Sequence, residues 1–310
     1  MTTVFKPLII ASSIVFLTAC GGGGGSSDDD DNDNDPGNSE ELAIDTSNAK
    51  GITIDAYRSA YFTQGATDFV DLTAKRVAGK GVSVDEMSFN EKVILLSGFR
   101  DTTVVDCAEG GTITLTFTDA LPEGASAGDS FDINADNCSN GISTQNGGVS
   151  FEINSFSETD ASFTFSYNNL NITSGSDTVN ANGSITMSVS DNGTTETISI
   201  TSSQLSISYN SDVVTLTNYS VIATLTGFTA TLDADYTITT PEGSVTVTTD
   251  PRFEGPTFNA CPIVGTMTIS GSDGTSVSLN ADTGNANTML LTINNGSSVT
   301  TDTIVCSELL

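Results

Sequence analysis

The sequence predicts a mainly β protein: a large curled antiparallel meander, either an open barrel or a two-layer sandwich, with a small helical segment on its N-terminal side. Three observations carry that expectation. From Thr112 onward apolar residues alternate with Thr, Ser and Asn at a period of two, which sets one face of each strand on a core and the other in water. Short Gly- and Asn-containing turn signals separate these runs. Before Thr112 the apolar spacing is that of a helix.

Met1 to Lys6 carries one positive charge, Pro7 to Phe16 is largely apolar, and Leu17-Thr18-Ala19-Cys20 follows. The apolar stretch is too short to cross a hydrocarbon core, which takes about 20 helical residues, so residues 1–19 read as a signal peptide. Leu17-Thr18-Ala19-Cys20 resembles the lipobox of bacterial lipoproteins. The resemblance implies that Cys20 is diacylated on sulfur, becomes the first residue of the mature chain and is its membrane contact. Several acyl chains, at about 0.8 kcal/mol per buried CH2, hold a protein permanently. Gly21 stands where, by the same resemblance, an Asp signals retention in the inner membrane, so the expected location is the outer membrane of a Gram-negative cell, on its periplasmic or its surface face.

Residues 20–41 read as a disordered tether, Gly/Ser-rich to Ser27 and Asp/Asn-rich from Asp28 to Asp35. An EF-type calcium loop beginning at Asp28 would need Gly sixth and Glu twelfth, where the chain has Asp33 and Ser39. Residues 42–100 read as a helical segment packing on the β domain. Ser47 or Asn48 is a suitable cap, and Ala49, Ile52, Ala56, Tyr57, Ala60 and Tyr61 recur at helical steps. A second helix is expected over Thr67 to Ala78 and a third over Asp85 to Leu96.

Residues 101–310 form the expected antiparallel β domain. Ile113, Leu115 and Phe117 alternate with threonines; Val149, Phe151 and Ile153, then Phe163, Phe165 and Tyr167, do the same. So do Ile198 with Ile200, Leu205 with Ile207 and Tyr209, Val245 with Val247, and Met267 with Ile269. Turns fall at Asp191-Asn192-Gly193, Pro241-Glu242-Gly243, Ser272-Asp273-Gly274 and Asn294-Asn295-Gly296. About twelve strands are expected. The parity slips between Tyr167 and Leu170, which predicts a bulge there. A sheet of that width curls or splits, because twist accumulates and open edges aggregate. Strands as long as Asp212 to Phe228 do not suit the short coils of a parallel β-helix.

The run from Cys107 to Asp119 aligns without a gap on that from Cys261 to Asp273, Ser130–Asp136 on Ser276–Asp282, and Phe151–Asn154 on Leu291–Asn294. Two related three-strand units are expected, by duplication or convergence. With Cys20 assigned to lipid, Cys107, Cys138, Cys261 and Cys306 remain in an oxidising exported compartment, where disulfides are the default. Of three connectivities, the most local joins Cys107 to Cys138 and Cys261 to Cys306. Gly128-Asp129-Ser130-Phe131, Asn137-Cys138 and Asn146-Gly147-Gly148-Val149, with Thr46-Ser47-Asn48-Ala49 upstream, are similar to a group of β-rich lipoproteins of Gram-negative bacteria. That group supplies no catalytic residues to carry over.

The chain has 39 acidic and 9 basic side chains and no histidine, for a formal net charge of −30. Nucleic acid is therefore not an expected partner, since phosphate contacts need Lys or Arg. The missing imidazole removes Ser-His-Asp and Cys-His nucleophiles and His-ligated metals. Ser-Lys chemistry would need a lysine in the sheet, and none follows Lys92. Asp233 with Asp235, and Asp132 with Asn134, share a strand face, the one arrangement open to carboxylate-based glycan hydrolysis; solvated charges are the commoner outcome. Arg252, alone after Arg100, sits beside Phe253 and Phe258, either buried against a carboxylate or as a candidate anion contact. No cofactor, metal or catalytic residue is expected. The expected role is non-catalytic, structural or in binding an envelope protein. The alternative is carriage of a hydrophobic ligand in a barrel-like cavity, and the test between them is whether large side chains fill the apolar face.

Overall fold

Fourteen strands pair antiparallel along one continuous sheet, each with the next in the chain except at a single point. The computed structural model describes residues 40–60, 102–118, 126–157, 159–210, 212–256, 261–285 and 287–309. The expected signal peptide, Cys20, nearly all of the tether and the second and third helices lie outside the described residues.

The strands are β1 (Thr103–Asp106), β2 (Thr112–Thr118), β3 (Ser130–Ser139), β4 (Ser143–Phe156), β5 (Asp160–Ser174), β6 (Asp177–Asp191), β7 (Thr195–Tyr209), β8 (Asp212–Thr226), β9 (Thr229–Thr240) and β10 (Gly243–Thr249). β11 (Phe253–Pro256), β12 (Thr266–Ser270), β13 (Ser276–Asn280), β14 (Thr288–Asn294) and β15 (Val299–Val305) follow. The sequence predicts about twelve. β1 and β11 have four residues each, too few for a period of two to show. The exception to sequential pairing is at β9, whose far edge is shared: Asp235–Thr240 pairs with β10 and Thr229–Leu232 with β11, while β10 goes on to pair with β12. Among the described residues β1 and β15 do not pair, so the sheet is open.

The inner face of this sheet is the core. Val149, Phe151, Ile153, Phe163, Phe165, Ile200, Leu205, Ile207, Val245, Val247, Met267 and Ile269 are buried as the alternation requires. Phe151 stacks on Phe131 and Phe163 at centroid distances of 4.8 and 5.3 Å and meets Phe165 edge-on at 5.0 Å, the offset and T-shaped arrangements that aromatic quadrupoles favour. The outer face is Thr, Ser and Asn, cross-linked by hydroxyl pairs such as Ser162–Ser188 at 3.0 Å and Thr164–Thr186 at 3.1 Å.

Bulges cross the middle of the sheet in a row. Register shifts occur between Ala135 and Cys138 on β3, Asn146 and Gly148 on β4, Tyr167 and Leu170 on β5, Gly183 and Thr186 on β6 where it meets β7, and Thr217 and Ser220 on β8. The slip read from the sequence at Tyr167–Leu170 is one member of this row. Each bulge adds local twist and bends its strand. Asn137, Asn169 and Asn218 take the positive φ the geometry demands, which Asn tolerates better than most side chains. Gly147 has φ +83, and a Cβ there would overlap the backbone of Asn169.

Helix α1 (Ala49–Ala60) covers part of the inner face. Of the two expected caps, Ser47 and Asn48, Asn48 takes part, in a reciprocal pair with Asp45: Asp45 Oδ1 accepts from the Ser47 and Asn48 amides at 2.7 and 3.2 Å, and Asn48 Oδ1 accepts from the Asp45 amide at 2.9 Å. This reciprocal pair is a capping box, with Asn48 in the role of the third helical residue. Hydrogen bonds from Ser47 hold the Asp45 carboxyl below the usual carboxylate range. Ala49, Ile52, Thr53, Ala56, Tyr57 and Ala60 face inward. Tyr236 donates its hydroxyl to the Ala56 carbonyl, and Tyr219 to that of Ser59 at 2.7 Å, which satisfies an orphan carbonyl in the last turn. Burial raises both phenols above the ordinary tyrosine range.

The tether joins the domain earlier than expected. Ser244 donates to the Glu40 carbonyl at 3.0 Å, and the Leu42 amide to that of Ser244 at 2.8 Å, so Glu40 and Glu41 already belong to the fold. At the other end of α1, Arg58 donates to the Leu309 and Glu308 carbonyls of α2 (Cys306–Leu309) at 3.3 and 3.2 Å.

Two outcomes follow. Gly147→Ala adds a side chain at a positive φ against backbone, and chemical denaturation is expected to show a loss of about 2 to 4 kcal/mol. Asp55 on α1 has an oxygen, Oδ1, buried without a hydrogen-bond partner, and burial, opposed by Arg58, pushes its carboxyl up to about 7. A carboxyl raised on folding gives stability that is complete below its unfolded value near 4 and lost as pH rises through 7. Asp55→Asn is expected to remove that loss and to be the more stable form at pH 8 by on the order of 2 to 4 kcal/mol, read from paired denaturation curves at pH 4 and 8.

Candidate functional site

A groove of about 500 Å³ lies on the outer face over β2 to β5. The strand register builds it row by row. Thr114 pairs with Asn134, Asn134 with Gly148 and Gly148 with Asn168. The adjacent row is Thr116, Asp132, Ser150 and Ser166, and on the other side Thr112 pairs with Asp136. Strands lie about 4.8 Å apart, so Asn134 and Asn168 flank a gap of about 10 Å whose floor is the bare backbone of Gly148. A Cβ at Gly148 would come within 3.6 Å of Asn134 Oδ1, which shows that the amide leans into this gap.

The groove ends at the row of bulges. There Asn137 Nδ2 donates to Asp136 Oδ1 at 2.9 Å, and Asn146 Oδ1 accepts from the Asn137 amide at 2.8 Å. The Cys107–Cys138 disulfide, with Cα atoms 5.4 Å apart, ties the β1–β2 turn to β3 beside it. Asn168 Nδ2 donates to Ser150 Oγ at 3.1 Å. Among the described residues Thr112, Thr114, Thr116, Asp132 and Asn134 make no side-chain hydrogen bond, unlike the paired hydroxyls of the neighbouring strands. Their donors and acceptors are left to solvent or to a ligand.

Chemically the groove offers hydroxyls, two amides and two carboxylates. Asp132 and Asp136 are four residues apart on one strand, about 13 Å at 3.3 Å per residue, beyond the separation of glycosidase carboxylate pairs, about 5 to 9.5 Å. Of the residues singled out from sequence, Asp132 and Asn134 do share a face and belong here. Asp233 and Asp235 share one too, exposed on β9, and Asp233 Oδ1 accepts from Thr249 Oγ1 at 2.9 Å. Arg252 is exposed rather than buried against a carboxylate, while its neighbour Phe253 is buried and meets Tyr57 edge-on at 5.9 Å; Phe258 lies outside the described residues. No group of three or more acidic or cysteine side chains among the described residues is placed to hold a metal ion.

The threonines of β2, Gly148, Ser150 and Asn168 are not singled out by sequence reasoning as a site. Their signal is the Gly147-Gly148 pair inside a strand, which marks a bulge and a close backbone approach. The second disulfide joins Cys261 to Cys306, with Cα atoms 5.6 Å apart, so the local connectivity is the one formed. The two echoing units form the expected antiparallel strands, but their registers differ. Leu115 pairs with Ile133, whereas the aligned Ile269 pairs with Val277, two residues from the aligned Leu279; a two-residue shift keeps the same side chains inward.

What the fold defines is an open, bulged antiparallel sheet with a helix on its apolar face and a polar groove on the other. No family model matches the chain, and neither does a curated protein or a solved structure.

Non-reducing peptide mapping is expected to recover the Cys107–Cys138 and Cys261–Cys306 links. The Cys107→Ser/Cys138→Ser double variant, which frees a 31-residue loop, is expected to lose about 3 to 4 kcal/mol of unfolding free energy.

Proposed function

We propose that this chain is a lipid-anchored lipoprotein of the outer membrane whose β domain has a non-catalytic structural or interaction role. The observation that carries the reading is the filling of the apolar face. Phe151, Phe163, Phe165, Tyr236 and Met267 are almost fully buried there, and α1 is fastened across it by two tyrosine hydroxyls. Carriage of a hydrophobic molecule would need that volume open. The hydrolase alternative loses support from the spacing of the groove carboxylates and the open exposure of Asp233 and Asp235.

Anchoring rests on the lipobox resemblance at Leu17-Thr18-Ala19-Cys20. No helix among the described residues is long and apolar enough to cross a membrane. The tether suits an anchor: it delivers the domain at Glu40 after a run of aspartates that repels an anionic surface.

Mass spectrometry of the mature protein from the membrane fraction is expected to show an N-terminal Cys20 carrying acyl chains, and Cys20→Ser to shift the protein out of that fraction. An unacylated mature terminus, or unchanged membrane retention of the variant, would contradict the anchor. Protease treatment of intact cells distinguishes the surface from the periplasmic face.

A further inference from the structure

We infer that the groove over β2 to β5 binds a glycan without negative charge, met edge-on by the threonine, asparagine and aspartate side chains that line it. This deepens the interaction role proposed above and rests on that reading only for where such a glycan is encountered.

The lining contains no Lys or Arg, and Asp132 and Asp136 stand on its wall, so phosphate, sulfate or uronate groups are repelled. The side chains turned into it are polar, while Phe131 and Phe151, the neighbours of Asp132 and Ser150 along their strands, are buried on the other face, so an acyl chain finds nothing to displace water against. The groove lies on the face of the sheet, where the backbone amides are committed to the ladder, so an extended peptide cannot add as a strand.

A sugar ring presents a rim of hydroxyls, each both donor and acceptor, and that is the complement of this set. Asp132 accepts, Thr112, Thr114 and Thr116 do either, and Asn134 and Asn168 offer both from opposite sides of the gap. The strands that carry Asn134 and Asn168 stand about 10 Å apart, two strand spacings, and the Asn134 amide leans over Gly148 between them, so a ring is met at its rim from both sides. On the adjoining part of the outer face Thr164 pairs with Thr186 and Ser162 with Ser188, whereas the five groove side chains keep their donors and acceptors open. Without an aromatic platform in the lining, affinity comes from hydrogen bonds and is weak for a single ring, so a repeating strand that spans several rows is the natural ligand.

The test is titration of the full mature chain in detergent micelles with the tetramer of N-acetylglucosamine, with its deacetylated form and with a uronic-acid tetramer, followed by amide NMR shifts. Saturable shifts at Thr114, Asn134, Gly148, Ser150 and Asn168 are expected with the first two and none with the third. Thr114→Val, which keeps shape and strand preference, and Asn168→Leu are each expected to weaken binding roughly five- to tenfold, the loss of about one hydrogen bond. Asp235→Asn, on another part of the sheet, should leave it unchanged. The inference is overturned if none of the glycans gives saturable shifts, or if the shifts map elsewhere. It is also overturned if only the cationic tetramer binds and Thr114→Val has no effect, which marks attraction to net charge alone. Because the readout is independent of acylation, its failure leaves the anchor reading standing, and failure of the anchor leaves this one testable.

Discussion

A sheet fourteen strands wide presents far more apolar surface than one twelve-residue helix can cover, and the rest of the structure depends on how that surface is removed from water. Among the described residues, part of the answer is bending. Extra residues fall near the middle of β3, β5, β7 and β8, with Asn137, Asn169 and Asn218 at positive φ, and a bulge bends the strand that carries it. The phenyl rings of β3, β4 and β5 meet one another on the inner face, and α1 is fastened to it where Tyr219 and Tyr236 reach its carbonyls and where Tyr57 meets Phe253. The same row produces the groove, because the strand that carries Gly147 also carries Gly148 next to it.

The alternation of Phe163, Phe165 and Tyr167 is readable as a strand because side-chain direction has a strict period, and its slip is readable as a bulge because an extra residue inverts that period. The same slip is present on β8, where Val214 and Leu216 give way to Tyr219 and Val221. Gly147 and Asn137 are harder to read. A glycine or asparagine in a threonine-rich strand looks like one more polar residue until its opposite number is known. β11 is hidden for a different reason: four residues are too few for a pattern, and its pairing with β9 is decided by where β10 stops.

The candidate site was half visible. Asp132 and Asn134 follow from spacing alone, since residues two apart share a face. Their companions Thr114, Gly148 and Asn168 come from three other strands, and only register brings them into one row. Of the two caps the sequence offers, Asn48 rather than Ser47 closes a reciprocal bond with Asp45, a competition between adjacent good caps that composition does not resolve. The cysteines paired locally as loop entropy favours, yet the second link reaches past β15 to α2, so the two units are not equivalent around their disulfides.

The inner face is packed with side chains such as Phe151, Phe163 and Phe165, and the groove lies on the polar face. Native mass spectrometry of the mature protein tests this most directly. A single species with the mass of the acylated polypeptide is the result the account predicts. A stoichiometric adduct of a non-covalent lipid, retained after detergent removal and released on unfolding, would contradict it, because carriage of such a molecule needs open apolar volume.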